Sequence, residues 1–354
     1  MDEDGGALVK VVCATGGVRL FHQGNSGNQA GMAQVLSVIT SPEPAIRAAL
    51  PLLEAGEVIA MPTETVYGLA ADATNPQAIT RIYETKGRPQ FNPLICHVAD
   101  LAMAERYGVF DPLSRQLAER FWPGPLTLIV PLTPGCTIHP LATAGLDTVG
   151  LRMPLGFAAE LIAAFGKPLA APSANTSGKI SPTTAAHVEE DLGAKIPLIL
   201  DAEAAGVGVE STILKVEDGQ IRLLRPGGLS VEAVEEATGL RVIRPQKAGA
   251  IIEAPGMLAS HYAPEAAVRL NATTVFADEA VITFGSAIPQ GLEKAAFVLN
   301  LSRDGDLAEA AANLFSFMKR ADASGAARIA FTAIPTHGLG DAINDRLERA
   351  AAPR

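Results

Sequence analysis

The chain has 354 residues, 48% of them hydrophobic and 19% charged, and a formal net charge of −10. That length allows two or three domains of ~100–200 residues each, and the composition excludes a disordered or fibrous chain. The acidic balance argues against a protein whose main task is gripping duplex phosphates, which needs clustered Lys and Arg. It leaves room for a small anionic ligand held by a few placed arginines. Cys13, Cys96 and Cys136, with no Cys-x-x-Cys, suggest neither a disulfide framework nor a cysteine zinc site. No apolar run approaches the ~18 residues of a membrane span, and the acidic Met1-Asp2-Glu3-Asp4 lacks the basic start of a secretory signal. The expected location is the cytoplasm.

In chain order, residues 1–40 read as a loose extension, polar and glycine-rich at Gly24-Asn25-Ser26-Gly27-Asn28-Gln29, or as upstream sequence if the natural start is Met32. Ser41-Pro42-Glu43 opens an amphipathic helix to about residue 55, with proline at a favoured first-turn position. A short apolar strand at 58–61 ends at Pro62. The pattern then predicts a helix at 76–85, a strand at 94–98, a helix at 113–120, strands at 126–130 and 148–153, and a helix at 156–165. Further strands fall at 169–171, 198–200, 211–216 and 221–224, with a helix after the Ser181-Pro182-Thr183-Thr184 cap. Such alternation predicts an α/β fold, a sheet covered by helices. Arg244-Pro245, Ala254-Pro255-Gly256 and Ala263-Pro264 break the rhythm and mark 241–266 as a tether. Strands at 281–284, 297–299 and 329–331 and helices at 306–319 and 341–351 then form a second α/β pattern. The plan is an extension (1–40), a first domain (41–240), a tether (241–266) and a smaller domain (267–354).

Several signatures are absent. Gly178-Lys179 is followed by Ile180, so there is no P-loop, and Gly206-Val207-Gly208 lacks the third glycine of a dinucleotide fingerprint. What stands out is a set of loops rich in hydroxyls, Gly, Pro and isolated cations. They run from Pro62 to Leu69, through Lys86-Gly87-Arg88-Pro89 and Asn92-Pro93-Leu94, to Ala171-Pro172-Ser173-Ala174-Asn175-Thr176-Ser177-Gly178, Glu210-Ser211-Thr212 and Arg225-Pro226-Gly227. In open α/β sheets ligands gather where strand C-terminal ends present such loops. Hydroxyls, free N–H groups and Lys86, Arg88, Arg152 and Arg225 can together cradle phosphates. Singly, each signal has an ordinary reading. Thr63-Glu64 is a respectable helix cap, Lys86 and Arg88 suit a helix C-terminus, Pro172–Asn175 is turn chemistry, and His97 in an apolar strand is more often a core residue than a ligand.

The ordered set PTETVYGLAADA (62–73), KGRP (86–89), NPL (92–94), WPGPLT (122–127), LRMP (151–154) and APSANTSGKISPT (171–183), followed by ST (211–212) and RPGG (225–228), resembles the YrdC-type family of L-threonylcarbamoyladenylate synthases. PGMLASHYAP (255–264) and GLGDAINDR (338–346) are similar to the tether and C-terminal domain of its long, two-domain branch. The resemblance implies a YrdC-like twisted mixed sheet with flanking helices around a concave site, plus a smaller Rossmann-like α/β domain. It implies conversion of L-threonine, bicarbonate and ATP to threonylcarbamoyl-AMP and pyrophosphate, the first step of threonylcarbamoyl-adenosine tRNA modification, with the product passed to a separate tRNA transferase complex. By the same resemblance Thr65, His97, Arg152, Ala171 and Ser211 would line the threonine site. Arg88, Asn92, Thr148, Ser173, Ser181, Arg225 and Tyr262 would contact ATP, with Lys86 and Arg88 stabilising phosphate charge. Mg²⁺ would come with ATP and take no direct protein ligand, and Tyr262 would lie over the site on a lid-like tether. Neither membrane association nor stable nucleic-acid binding is expected. The competing readings are an RNA-binding, translation-associated module without ATP turnover and a hydrogenase-maturation carbamoyltransferase, whose zinc-finger and acylphosphatase-like regions this chain lacks.

Overall fold

The computed structural model describes residues 8–12, 18–22, 32–39, 41–89, 92–244, 253–255 and 261–353. Strands β1 (Leu8–Val12) and β2 (Val18–His22) pair antiparallel within one compact unit, and residues 32–354 belong to another. The larger unit begins with β3 (Gln34–Ser37), α1 (Pro42–Glu54), β4 (Ile59–Met61), β5 (Gly68–Asp72), α2 (Pro76–Lys86), β6 (Ile95–His97), α3 (Leu101–Glu105), α4 (Pro112–Phe121) and β7 (Leu126–Pro131). It continues through α5 (Pro140–Thr143), β8 (Thr148–Arg152), α6 (Phe157–Phe165), β9 (Leu169–Ala170), α7 (Ala185–Leu192), β10 (Leu198–Asp201), β11 (Thr212–Glu217), β12 (Gln220–Arg225), α8 (Val231–Thr238) and β13 (Val242–Ile243).

These strands join in the order β13-β12-β11-β7-β8-β6-β9-β5-β4-β10-β3. The sheet is mixed: β6 runs parallel to β8, and β9 antiparallel to both β5 and β6. The expectation of a loose stretch to residue 40 is corrected at its end, because Gln34–Ser37 pair in parallel register with Leu198–Asp201 as an edge strand. The strand at Gly68–Asp72 also lies where a loop was expected. It is buried throughout, so it shows no alternation.

Local chemistry explains the helix ends that matter. The Asn75 side chain accepts from the Gln77 and Ala78 N–H groups to start α2, and Gly87 in the left-handed region (φ +59°) stops it. That stop places Lys86 and Arg88 on either side of a sharp turn. Helix α1 buries Ala45, Ala49 and Leu53 at four-residue spacing.

After the tether come β14 (Ala267–Arg269), β15 (Glu279–Thr283), a 3₁₀ turn at Leu292–Lys294, β16 (Phe297–Asn300), α9 (Leu307–Asp322), β17 (Arg328–Phe331) and α10 (Gly340–Ala351). The sheet order is β14-β17-β15-β16, all parallel. Alternation sorts its faces: Ala280, Ile282, Ile329 and Phe331 pack with α9 and α10, while Val281 and Ala330 pack with Ala272 and Val275. The core under α9 and α10 also contains Val66, Ile180 and Val209 from the first domain. Among the described residues no helix is long and apolar enough to cross a membrane.

Candidate active site

The pocket lies where the β4–β5 loop, the ends of β6, β8, β9 and β12, and the approach to β11 converge. Thr63 shapes the first loop. No helix follows it, so it is not the helix cap expected from Thr63-Glu64. Its hydroxyl instead accepts from the Thr65 and Val66 N–H groups (3.2 and 3.3 Å) and donates to the Val66 carbonyl (2.6 Å), a hydroxyl-closed turn. The Thr63 and Thr65 hydroxyls lie 2.8 Å apart. Gly68 bridges to Ser173, and a Cβ on Gly68 would stand 3.1 Å from that of Ala171, so glycine lets the two loops meet.

His97 and Arg152 are register partners on β6 and β8. Arg152 reaches Glu64 Oε1 through Nη2 (2.7 Å) and donates from Nε to the Gly124 carbonyl (3.3 Å). Burial, and then the charge of Arg152, push His97 down to about 3, so its imidazole is neutral. Ser211 Oγ shares a hydrogen bond with Thr127 (2.7 Å), and Arg225 Nη2 donates to the Ser211 carbonyl (2.8 Å). Arg225 Nη1 reaches the Pro255 carbonyl (3.3 Å). Arg88 donates to the Pro93 carbonyl (3.0 Å), and burial lowers it to about 10. Glu210 accepts from Ser181 Oγ (2.6 Å) and from Arg346 Nε (2.9 Å). Burial would raise its pKa, but Arg346 and Arg225 outweigh that and hold it ionised, at about 2.

Of the residues singled out from sequence, Thr65, Arg88, His97, Arg152, Ala171, Ser173, Ser211, Arg225 and Tyr262 line one pocket. Four do not. Lys86 is buried, but its ammonium donates to the Ser173 and Asn175 carbonyls, both at 2.5 Å. It ties the Ser173 loop to the end of α2 instead of facing the cavity. Ser181 lies behind Glu210. The Asn92 carbonyl accepts from Tyr83 Oη (3.3 Å), and its Oδ1 has no hydrogen-bond partner among the described residues. Thr148 starts β8, opposite Pro131 and about 13 Å along the strand from Arg152. Sequence reasoning gave no site role to Thr63, Glu64, Glu210, Pro255 or His261. The signal for the last two was their place in the tether motif.

The lining holds three arginines, Arg88, Arg152 and Arg225, and one carboxylate, Glu210. Arg152 pairs with Glu64 and Glu210 with Arg346, while Arg88 and Arg225 have no ion pair among the described residues; uncompensated buried charge costs several kcal/mol, so the arrangement is suited to an anion. Pro255, His261 and Tyr262 cover it, and the free volume is only about 50 Å³. Small-molecule sites usually offer roughly 300–1,000 Å³, so the pocket is narrow as it stands.

The family description "Telomere recombination" (Sua5_yciO_yrdC) matches residues 51–227, and "Threonylcarbamoyl-AMP synthase, C-terminal domain" matches residues 229–352. A threonylcarbamoyl-AMP synthase of Bacillus subtilis is 39% identical, covering 90% of this chain and 96% of its own length. The chain belongs to the Sua5/YrdC family, in its long two-domain form. A Pyrococcus abyssi synthase is also 39% identical, over 87% of this chain and 94% of its own. The solved structure of P. abyssi Sua5 complexed with L-threonine superposes on this Sua5/YrdC-family chain with a TM-score of 0.80, at 38% identity, over 90% of this chain and 98% of that one.

Proposed function

We propose that this chain is a threonylcarbamoyl-AMP synthase, using L-threonine, bicarbonate and ATP and releasing pyrophosphate, with the product handed to a separate tRNA-modifying transferase. The observation that carries this reading is the joint one: a pocket rich in arginines and hydroxyls, in a chain aligned over nine-tenths of its length with a relative solved with L-threonine.

Arg152 suits the threonine carboxylate, and the hydroxyls of Thr65 and Ser211 suit its small polar groups. The threonine amine, as the free base, forms a bond to the carbon of dissolved carbon dioxide and gives up a proton, or to the carbon of bicarbonate, where the proton leaves with the displaced hydroxide as water; either route yields a carbamate. A carbamate oxygen then bonds to the α-phosphorus of ATP as the bond to the bridging oxygen of pyrophosphate breaks. Charge accumulates on phosphoryl oxygens, so Arg88 and Arg225 contribute by fixed electrostatics and positioning. No residue need form a covalent bond to substrate. Holding both substrates in register is worth about 7–11 kcal/mol of barrier in favourable cases.

Lys86 contributes by holding the Ser173 loop. Mg²⁺ enters with ATP as part of that substrate. Glu210, the carboxylate that lines the pocket, has its two oxygens engaged by Ser181 and Arg346, and phosphate oxygens would hold the metal. The tether residues Pro255, His261 and Tyr262 act as the lid that keeps water from the labile carbamate.

The test is pyrophosphate release from Mg-ATP with and without L-threonine and bicarbonate, with mass detection of the adenylate. Release that needs both co-substrates, together with a threonylcarbamoyl-AMP mass, is expected. Well-folded protein that releases none, or that releases it without threonine, overturns the reading.

A further inference from the structure

Among the described residues, one of the largest fully buried side chains is Arg346, at 0% exposure, and it comes from helix α10 of the C-terminal domain. A buried guanidinium is costly unless its charge is paired; that of Arg346 is paired through Nε and Nη1, while Nη2 is buried with no hydrogen-bond partner among the described residues. Arg346 Nε donates to Glu210 Oε2 (2.9 Å), and Nη1 donates to the Pro226 carbonyl (2.6 Å) and to Asp345 Oδ2 (2.8 Å). Its Cζ stands 5.4 Å from the centre of the Tyr262 ring. That ring is stacked on Phe315 of α9 from the same domain, with centroids 5.4 Å apart and planes 27° apart.

The contacts to Glu210, Pro226 and Tyr262 end on the same part of the pocket. Glu210 receives the Ser181 hydroxyl, Pro226 follows Arg225, and Tyr262 lines the cavity. None reaches Thr65, His97, Arg152 or Ala171; Ser211, which adjoins Glu210 and accepts from Arg225, is the one threonine-side residue they border. The wider packing agrees: Val66, Ile180 and Val209, one from each of three loops that shape the site, share a core with α9 and α10. A Cβ on Gly208 would lie 2.3 Å from the Ala312 Cα, so the loop before Glu210 runs against the α9 backbone. The C-terminal domain thus packs behind the loops that line the pocket, and contributes no lining residue itself.

Resting on the synthase reading for its substrates, we propose that Arg346 is a positioning residue for the ATP side of the site, fixing Glu210, the Arg225 turn and the Tyr262 cover in one arrangement. It acts through those groups and touches no substrate. Its loss leaves the threonine side built and the nucleotide side unset.

The experiment compares the full-length chain with Arg346→Lys, Arg346→Met, Glu210→Gln and the double variant Glu210→Gln/Arg346→Met. It reads kcat and both KM values in the pyrophosphate assay, Kd for ATP by calorimetry, and Tm. Arg346→Met is expected to weaken ATP roughly tenfold or more, with threonine KM within about threefold, and Arg346→Lys to do so less. The double variant should be no worse than the sum of its parts predicts and closer to the worse single variant, since neighbours in one network do not add. Unchanged ATP binding in folded variants, parallel loss of ATP and threonine, or additive losses would each overturn the proposal. Where Arg346→Met does not fold, Arg346→Lys carries the test. A wild-type protein that binds ATP and makes no adenylate sinks the synthase reading alone, because calorimetry still judges Arg346.

Discussion

Removing the Arg152 guanidinium separates the two substrates most sharply. Arg152 is buried at 4% exposure, with its pair Glu64 held 2.7 Å away. A carboxylate gripped by such a cation is worth about 1.5–3 kcal/mol, which is roughly 10–150-fold in Kd at 1.4 kcal/mol per decade. Arg152→Gln carries a second cost, because it strands the Glu64 carboxylate, whose other oxygen accepts only from the Leu155 N–H (3.1 Å). Breaking a buried pair from one side costs about 3–5 kcal/mol, and the 12% exposure of the Glu64 side chain favours the lower end. The informative set is therefore wild type, Arg152→Gln, Glu64→Gln and the double variant. Threonine and ATP are titrated separately by calorimetry, and stability is followed by urea unfolding. Threonine should weaken 10–150-fold in both proteins lacking Arg152, with ATP within about threefold, and the double variant should recover much of the lost stability. Equal weakening of both ligands, or wild-type threonine affinity in the double variant, refutes the role.

Two further expectations follow from geometry and charge. Gly208→Ala adds a Cβ 2.3 Å from the Ala312 Cα and 2.4 Å from the Ala311 carbonyl oxygen, at a φ of +76°; thermal unfolding should show a loss of about 1–3 kcal/mol or more, and an unchanged Tm would mean that α9 yields freely. His97 and His261 are both lowered to about 3, chiefly by burial, so they are neutral when folded and take up protons near pH 6.5 when unfolded. Stability is then level above about pH 7 and falls with acidification, by about 2 kcal/mol for the pair between pH 6.5 and 5.5. Urea unfolding at pH 7.5 and 5.5 checks this, and equal free energies would refute it.

Much of the fold is legible in the sequence because its helices carry local punctuation. Asn75-Pro76 with Gly87, and Asp111-Pro112, bracket or open helices close to where they occur. Helix α8 has the same kind of signals in Ser230 and Gly239, yet it went unread beside the stronger strand–loop pattern around it. Strand β5 is hidden for a different reason. Gly68-Leu69-Ala70-Ala71-Asp72 has no β-branched residue, and burial on both faces removes the two-residue period. The pocket is legible as a set of loops, since hydroxyls, Gly and Arg announce a polar site locally. Which cations face the cavity is not a local property. Lys86 and Arg88 flank one glycine, yet one turns to backbone carbonyls and the other to the pocket. Arg346 reads as an ordinary polar position of a terminal helix until that helix is docked against Glu210.

The order of strands in the large sheet also governs when the site can exist. Ala60 pairs with Ile199, Leu126 with Thr212, and Gln34 with Leu198. Partners so remote in sequence place the protein among slow-folding topologies, where loop closure must precede the contacts that reward it. Strand Ile59–Met61 meets β5 almost at once, but at ~5–20 residues per second of synthesis its other edge waits roughly ten seconds or more for β10 to be made. During that interval its backbone edge is open to other chains. The loops that line the pocket come together only after β12 has been added. The Arg346 contact comes later still, so the pocket is among the last parts of the molecule to form.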